Sequence, residues 1–127
     1  MGKINSKHKG KNGELELVKK FKELGADKAR RSAQFHGNIE EGSPDLLGVD
    51  GIHVESKRVE RLQIYEAMEQ ATRDSKKQKN GTPAVFHRKN GKGWLVIMNF
   101  EDWGNMWKAL KDIGYWEEDN DKNNDND

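Results

Sequence analysis

Ser43-Pro44-Asp45-Leu46-Leu47-Gly48-Val49-Asp50-Gly51-Ile52-His53-Val54-Glu55-Ser56-Lys57 is the stretch whose reading decides the fold. It reads as two short strands around a tight turn. Leu46, Leu47, Val49, Ile52 and Val54 are strand-filling residues, and Asp50-Gly51 is a hairpin pair. The length of the turn sets the register. A two-residue loop pairs Val49 with Ile52 and Asp45 with Ser56, which sends Asp45 and Glu55 to opposite faces. A three-residue loop, Val49-Asp50-Gly51, pairs Gly48 with Ile52 and Asp45 with Glu55. That loop needs a left-handed residue at its third position, where Gly51 stands. The second register is expected: Asp45, Glu55 and Lys57 share one face, and Ile52 and Val54 turn to the core.

Two carboxylates side by side at a strand end repel unless a cation lies between them. Oxygen ligands suit a hard ion, Mg²⁺, with Mn²⁺ as a substitute. Lys57 adds a third charge to that face, suited to orienting a water or stabilising charge on a phosphate. The plain alternative is a hairpin with a surface ion pair. Pro44 ahead of Asp45, the register and a third acid upstream favour the site.

That acid is Glu14. Leu15, Leu17, Val18, Phe21 and Leu24 recur at helical spacing and Gly25 is a natural stop, so residues 14–24 are expected to form a helix. Glu14 falls within the apolar stripe, near Val18 and Phe21, where it needs a partner; a simple first-turn acid favoured by the helix dipole is the other reading. Glu16 falls on the wet side. Residues 1–13 carry Lys3, Lys7, Lys9 and Lys11 with little to pack, and are expected to be a flexible basic arm. Residues 26–36 supply a first strand with Arg30, Arg31 and Gln34 suited to phosphate contacts.

Downstream of Lys57 and Arg58, a helix over about 62–77 has Leu62, Tyr65, Met68 and Thr72 as its core stripe. Gln70 lies on another face, and Lys76 and Lys77 form a basic end suited to DNA. Pro83–Arg88 and Trp94–Met98 read as strands, the second expected inside the sheet because it is the most apolar. Asn99, with Asp102 at the third position, is expected to cap a last helix. Phe100, Trp103, Met106, Trp107 and Leu110 on that helix have the period of a packed core.

At 127 residues the chain is sized for one domain. The net charge of +1 hides an asymmetry: residues 117–127 hold six acids against Lys122, leaving +6 for the rest, which suggests a polyanionic partner. The expected organisation is the arm 1–13, a domain 14–116 and an acidic, disordered tail 117–127. Without cysteine there is neither a disulfide framework nor a thiolate metal site. No apolar run has the length of a membrane span, and the basic start lacks the apolar segment of a secretory signal, so a cytoplasmic protein is expected.

Pro44-Asp45 followed by Glu55-Ser56-Lys57 resembles the PD-(D/E)xK nuclease superfamily. With Gly10-Lys11-Asn12-Gly13-Glu14 opening a helix, the chain looks like the archaeal and phage Holliday junction resolvase group. The resemblance covers roughly residues 10–103. It implies an α/β, restriction-endonuclease-like fold, αβββαββα, with a central mixed sheet of about five strands flanked by helices. It also implies Mg²⁺ held by Glu14, Asp45, Glu55 and the Ser56 carbonyl, Lys57 serving the water, and a homodimer acting on four-way or other branched DNA. Lys9, Lys11, Arg30, Arg31, Gln34, Arg58, Gln70, Lys76 and Lys77 are the DNA-contact candidates; Glu40-Glu41 departs from the family's basic loop. A less selective repair or processing nuclease on the same fold and a non-catalytic DNA-binding module are the alternatives. An RNA-binding domain lacks the aromatic strand it would need.

Overall fold

The computed structural model describes residues 6–32, 42–79 and 81–117. In chain order the elements are α1 (Ser6–Glu23), β1 (Arg30–Arg31), β2 (Leu46–Leu47), β3 (Ile52–Arg58), α2 (Ile64–Gln78), β4 (Thr82–Arg88), β5 (Leu95–Met98) and α3 (Phe100–Asp112). The expected succession αβββαββα is therefore present. The five strands form one mixed sheet in the order β1-β2-β3-β4-β5. β3 and β4 are parallel and the other neighbours antiparallel. α2 is the crossover that a parallel pair requires.

The hairpin has the expected three-residue register. Leu46 pairs with Val54, the Asp45 N–H donates to the Val54 carbonyl at 2.8 Å and the Ile52 N–H to Val49 at 3.2 Å. Gly51 is left-handed at φ 81°. Gly48 is too, at φ 82°, and a Cβ there would lie 2.1 Å from the Lys28 carbonyl oxygen.

Both faces of the sheet are covered. On one, α1 sets Leu17 into a core with Leu46, Val54, Ala84 and Phe86, flanked by Val18, Phe21 and Ile52. Phe21 meets Phe86 edge-on at 5.3 Å. On the other, Ala67, Met68 and Ala71 of α2 close over Val85, with Leu62 and Ile97 beside them.

Several expectations need correction. α1 starts at Ser6, so residues 6–13 belong to the helix and not to an arm; residues 1–5 lie outside the described residues, as do 118–127 of the tail. Gly13 explains the extension: a Cβ there would meet the Arg58 Cβ at 2.7 Å, so a glycine lets the helix run close along β3. Tyr65 is exposed, because the smaller Ala67, Ala71 and Ser75 with Met68 form the face of α2 that packs. β5 is an edge strand, not an interior one. α3 buries none of its residues, aromatic stripe included. Asn99 makes no side-chain cap; its Nδ2 donates to Thr72 Oγ1 at 3.0 Å instead, tying α3 to α2.

Candidate metal and phosphate site

The acids gather where β2 and β3 meet. Asp45 stands just ahead of β2, its main chain fixed by the Val54 carbonyl on one side and by the Ser32 N–H, which donates to its carbonyl at 3.0 Å, on the other. Ser32 Oγ reinforces this, donating to the Pro44 carbonyl at 2.5 Å and lying 3.1 Å from that of Asp45. The Asp45 side chain reaches across the hairpin, where Oδ2 accepts the Ser56 N–H at 2.7 Å. Burial, the Glu55 charge and, more weakly, the Glu14 charge push the Asp45 carboxyl up to about 7, against the pull of the Ser56 N–H and of Lys57. Glu55, Glu14 and Lys57, the other side chains expected at the site, thus all act on Asp45.

Glu55 faces the α2 side of the sheet, level with Val85 in the register. It is nearly buried. Its Oε1 lies 2.9 Å from Nε2 of His53, two residues earlier on the same face and itself fully buried. Asp74 of α2 completes the group: ligand atoms of His53, Glu55 and Asp74 all lie within 4.8 Å of one another. His53 was legible as a face-mate of Glu55 by strand alternation. Asp74 was not, because only the docking of α2 brings it there.

Glu14 is half-buried, and its Oε1 accepts Arg31 Nε at 2.8 Å. Eight residues into α1, it is not a first-turn acid, so the helix-dipole reading falls. The partner demanded by its burial is Arg31, which in turn is not a free phosphate contact. Glu16 is a second correction, since it is not simply solvated. It accepts Trp94 Nε1 at 3.0 Å and also pairs with Arg88. Burial raises its carboxyl, but those hydrogen bonds and the Arg88 and Arg58 charges outweigh it and hold the group below the usual range.

The remaining cation candidates divide. Lys9 pairs with Glu60 at 2.7 Å, and Arg58 donates to Asn90 Oδ1 at 2.9 Å. Both still line a cleft with Lys57, Ser56 and Glu60 beside β3. Lys11, Arg30, Gln70, Lys76 and Lys77 are exposed, with Arg30 donating to the Lys28 carbonyl at 2.9 Å. Gln34 lies outside the described residues. His87, level with Lys57 in the register, donates from Nε2 to the Val59 carbonyl at 2.9 Å.

The donor set fits a hard divalent cation. Asp45 and Glu55, opposite one another in the hairpin register, offer carboxylate oxygens, and a cation bound between them would relieve their repulsion. His53 adds a nitrogen, which Mn²⁺ accepts more readily than Mg²⁺. Comparison with protein-family models, with curated proteins and with solved structures finds no match. Among the described residues no helix is long and apolar enough to cross a membrane.

Proposed function

We propose that the chain is a divalent-cation-dependent endonuclease that hydrolyses phosphodiester bonds in branched DNA, with four-way junctions as the first substrate to test. The observation that carries the reading is Asp45 reaching across the hairpin to the Ser56 N–H at 2.7 Å, opposite Glu55 in the register, beside a cleft lined by Lys57, Lys9 and Arg58. Asp45 and Glu55 hold the cation, with the Ser56 carbonyl at the same strand end. When bound, Mg²⁺ or Mn²⁺ supplies the charge that acidifies a water and offsets the phosphate. Lys57 orients that water or donates to a scissile phosphate oxygen, where charge grows in the transition state. Lys9 and Arg58 steer the strand along the cleft. Arg31 holds Glu14 in place at the margin of the site. Cutting paired strands of a junction calls for two such sites, hence a homodimer.

The test is cleavage of a labelled four-way junction beside linear duplex and flap DNA, in Mg²⁺ and in EDTA, with wild type and Glu55→Ala. Isothermal titration with Mn²⁺ is run in parallel on wild type and Asp45→Asn. Paired nicks in the junction alone, lost in EDTA and in the variant, support the full reading. Equal cutting of every substrate keeps the site and removes the junction preference. Tight DNA binding with neither cutting nor cation uptake overturns catalysis and leaves a DNA-binding module.

A further inference from the structure

Among the described residues, α3 and β5 leave an apolar face uncovered. Phe100 is 80% exposed, Trp103 50%, Met106 45% and Trp107 42%, and Val96 of the edge strand is 55% exposed. They are contiguous: Val96, Ile97 and Met98 form a groove with Phe100 and Trp103. Phe100 stacks on Trp103 at 6.1 Å, so these rings are ordered against one another and not against the core. At about 150–250 Å² per aromatic side chain, the exposed parts come to on the order of 600 Å². A standard interface takes about 800 Å² per partner, a figure within reach once the flanking polar atoms and the open backbone edge of β5 are added.

Charge and shape say what fits this face. α3 begins with Glu101 and Asp102 and has Lys108 and Lys111 in its second half, Asp112 being out of pattern. Laid antiparallel on a copy of itself, the helix sets its acidic start beside the basic end of the other, with the helix dipoles also opposed. The axis then falls near Met106. Trp107 of each copy comes over Gly104 of the other, where a glycine has nothing within 4 Å of the Cβ position. We propose that the α3–β5 face is the surface on which a second copy of this chain docks, with the two α3 helices antiparallel about a two-fold axis near Met106.

The experiment is sedimentation equilibrium of the full chain at tens of micromolar. Wild type is expected at twice 14.6 kDa. Trp103→Glu and, separately, Gly104→Leu are expected to raise the dimer dissociation constant more than about thirtyfold. Their circular dichroism melts measure the fold independently; both positions lie outside the core, and leucine is a better helix former than glycine. The chain has no cysteine, so Met106→Cys tests the axis: oxidation is expected to give a covalent dimer, whereas Asn105→Cys, exposed and on the far side of α3, is not. A monomeric wild type, a dimer indifferent to both substitutions, or equal cross-linking at 106 and 105 overturns the proposal. The docking surface rests on the homodimer of the nuclease reading: a monomer that still cuts DNA overturns the surface and the paired junction cut but keeps the nuclease, whereas a dimer that does not cut keeps the surface alone.

Discussion

Replacing Asp45 by asparagine removes one carboxylate from a crowded group while keeping an oxygen to accept the Ser56 N–H. The wild-type carboxyl is raised from 3.8 to about 7, first by burial and then by Glu55. At about 1.4 kcal/mol per pKa unit, ionising it in the folded chain costs about 4 kcal/mol, and water entry and local relaxation bring the measurable effect to about 2–4 kcal/mol. The sign follows from proton counting. Between 3.8 and about 7 the folded chain keeps a proton that the unfolded chain has released, so this group's contribution to stability falls as pH rises and levels off above about 7. Asparagine has no such step. Urea unfolding of both proteins in EDTA, from about pH 4 to about pH 8.5, gives the difference directly. Relative to wild type, Asp45→Asn should gain about 2–4 kcal/mol across that range, or about 4 °C in Tm per kcal/mol. Parallel pH profiles, or a variant that loses ground toward high pH, would refute the picture of Asp45 as the crowded centre of the group.

The two left-handed glycines of the hairpin should separate under alanine substitution. Gly51→Ala faces open space and should cost about 1 kcal/mol, whereas Gly48→Ala drives a methyl into the Lys28 carbonyl and should cost at least about 2 kcal/mol more, both read by chemical denaturation. Arg31→Leu strips Glu14 of its ion-pair partner; a loss of about 1–3 kcal/mol near neutral pH is expected in urea unfolding, and an unchanged Cm would show the pair to be idle. Leu46→Ala, at the centre of the α1-facing core, should cost about 2–5 kcal/mol, checked by the same unfolding curves.

Much of the candidate site was readable because it is local. The register of Asp45 against Glu55 follows from the length of one turn and the glycine that closes it, and strand alternation then fixes which side chains share a face. The order of elements was readable for a related reason, since hydrophobic period and turn residues act over a few positions. Assignments that depended on which face a neighbour covers went differently. Glu14 was placed correctly as a half-buried acid, but its partner in the fold is Arg31. The assignment of Glu16 to solvent missed Trp94 and Arg88, more than seventy residues away.

The sequence by itself determined the hairpin, its register and the succession of helices and strands, because backbone conformation and side-chain alternation are settled by near neighbours. Only the tertiary structure decided that α2 brings Asp74 to His53 and Glu55, that Gly13 lets α1 lie close along β3, and that β5 is an edge with α3 exposed beside it. An apolar stripe records that a face seeks cover. Whether the cover is the chain's own sheet or another molecule depends on how elements distant in sequence are arranged, and no local pattern carries that information.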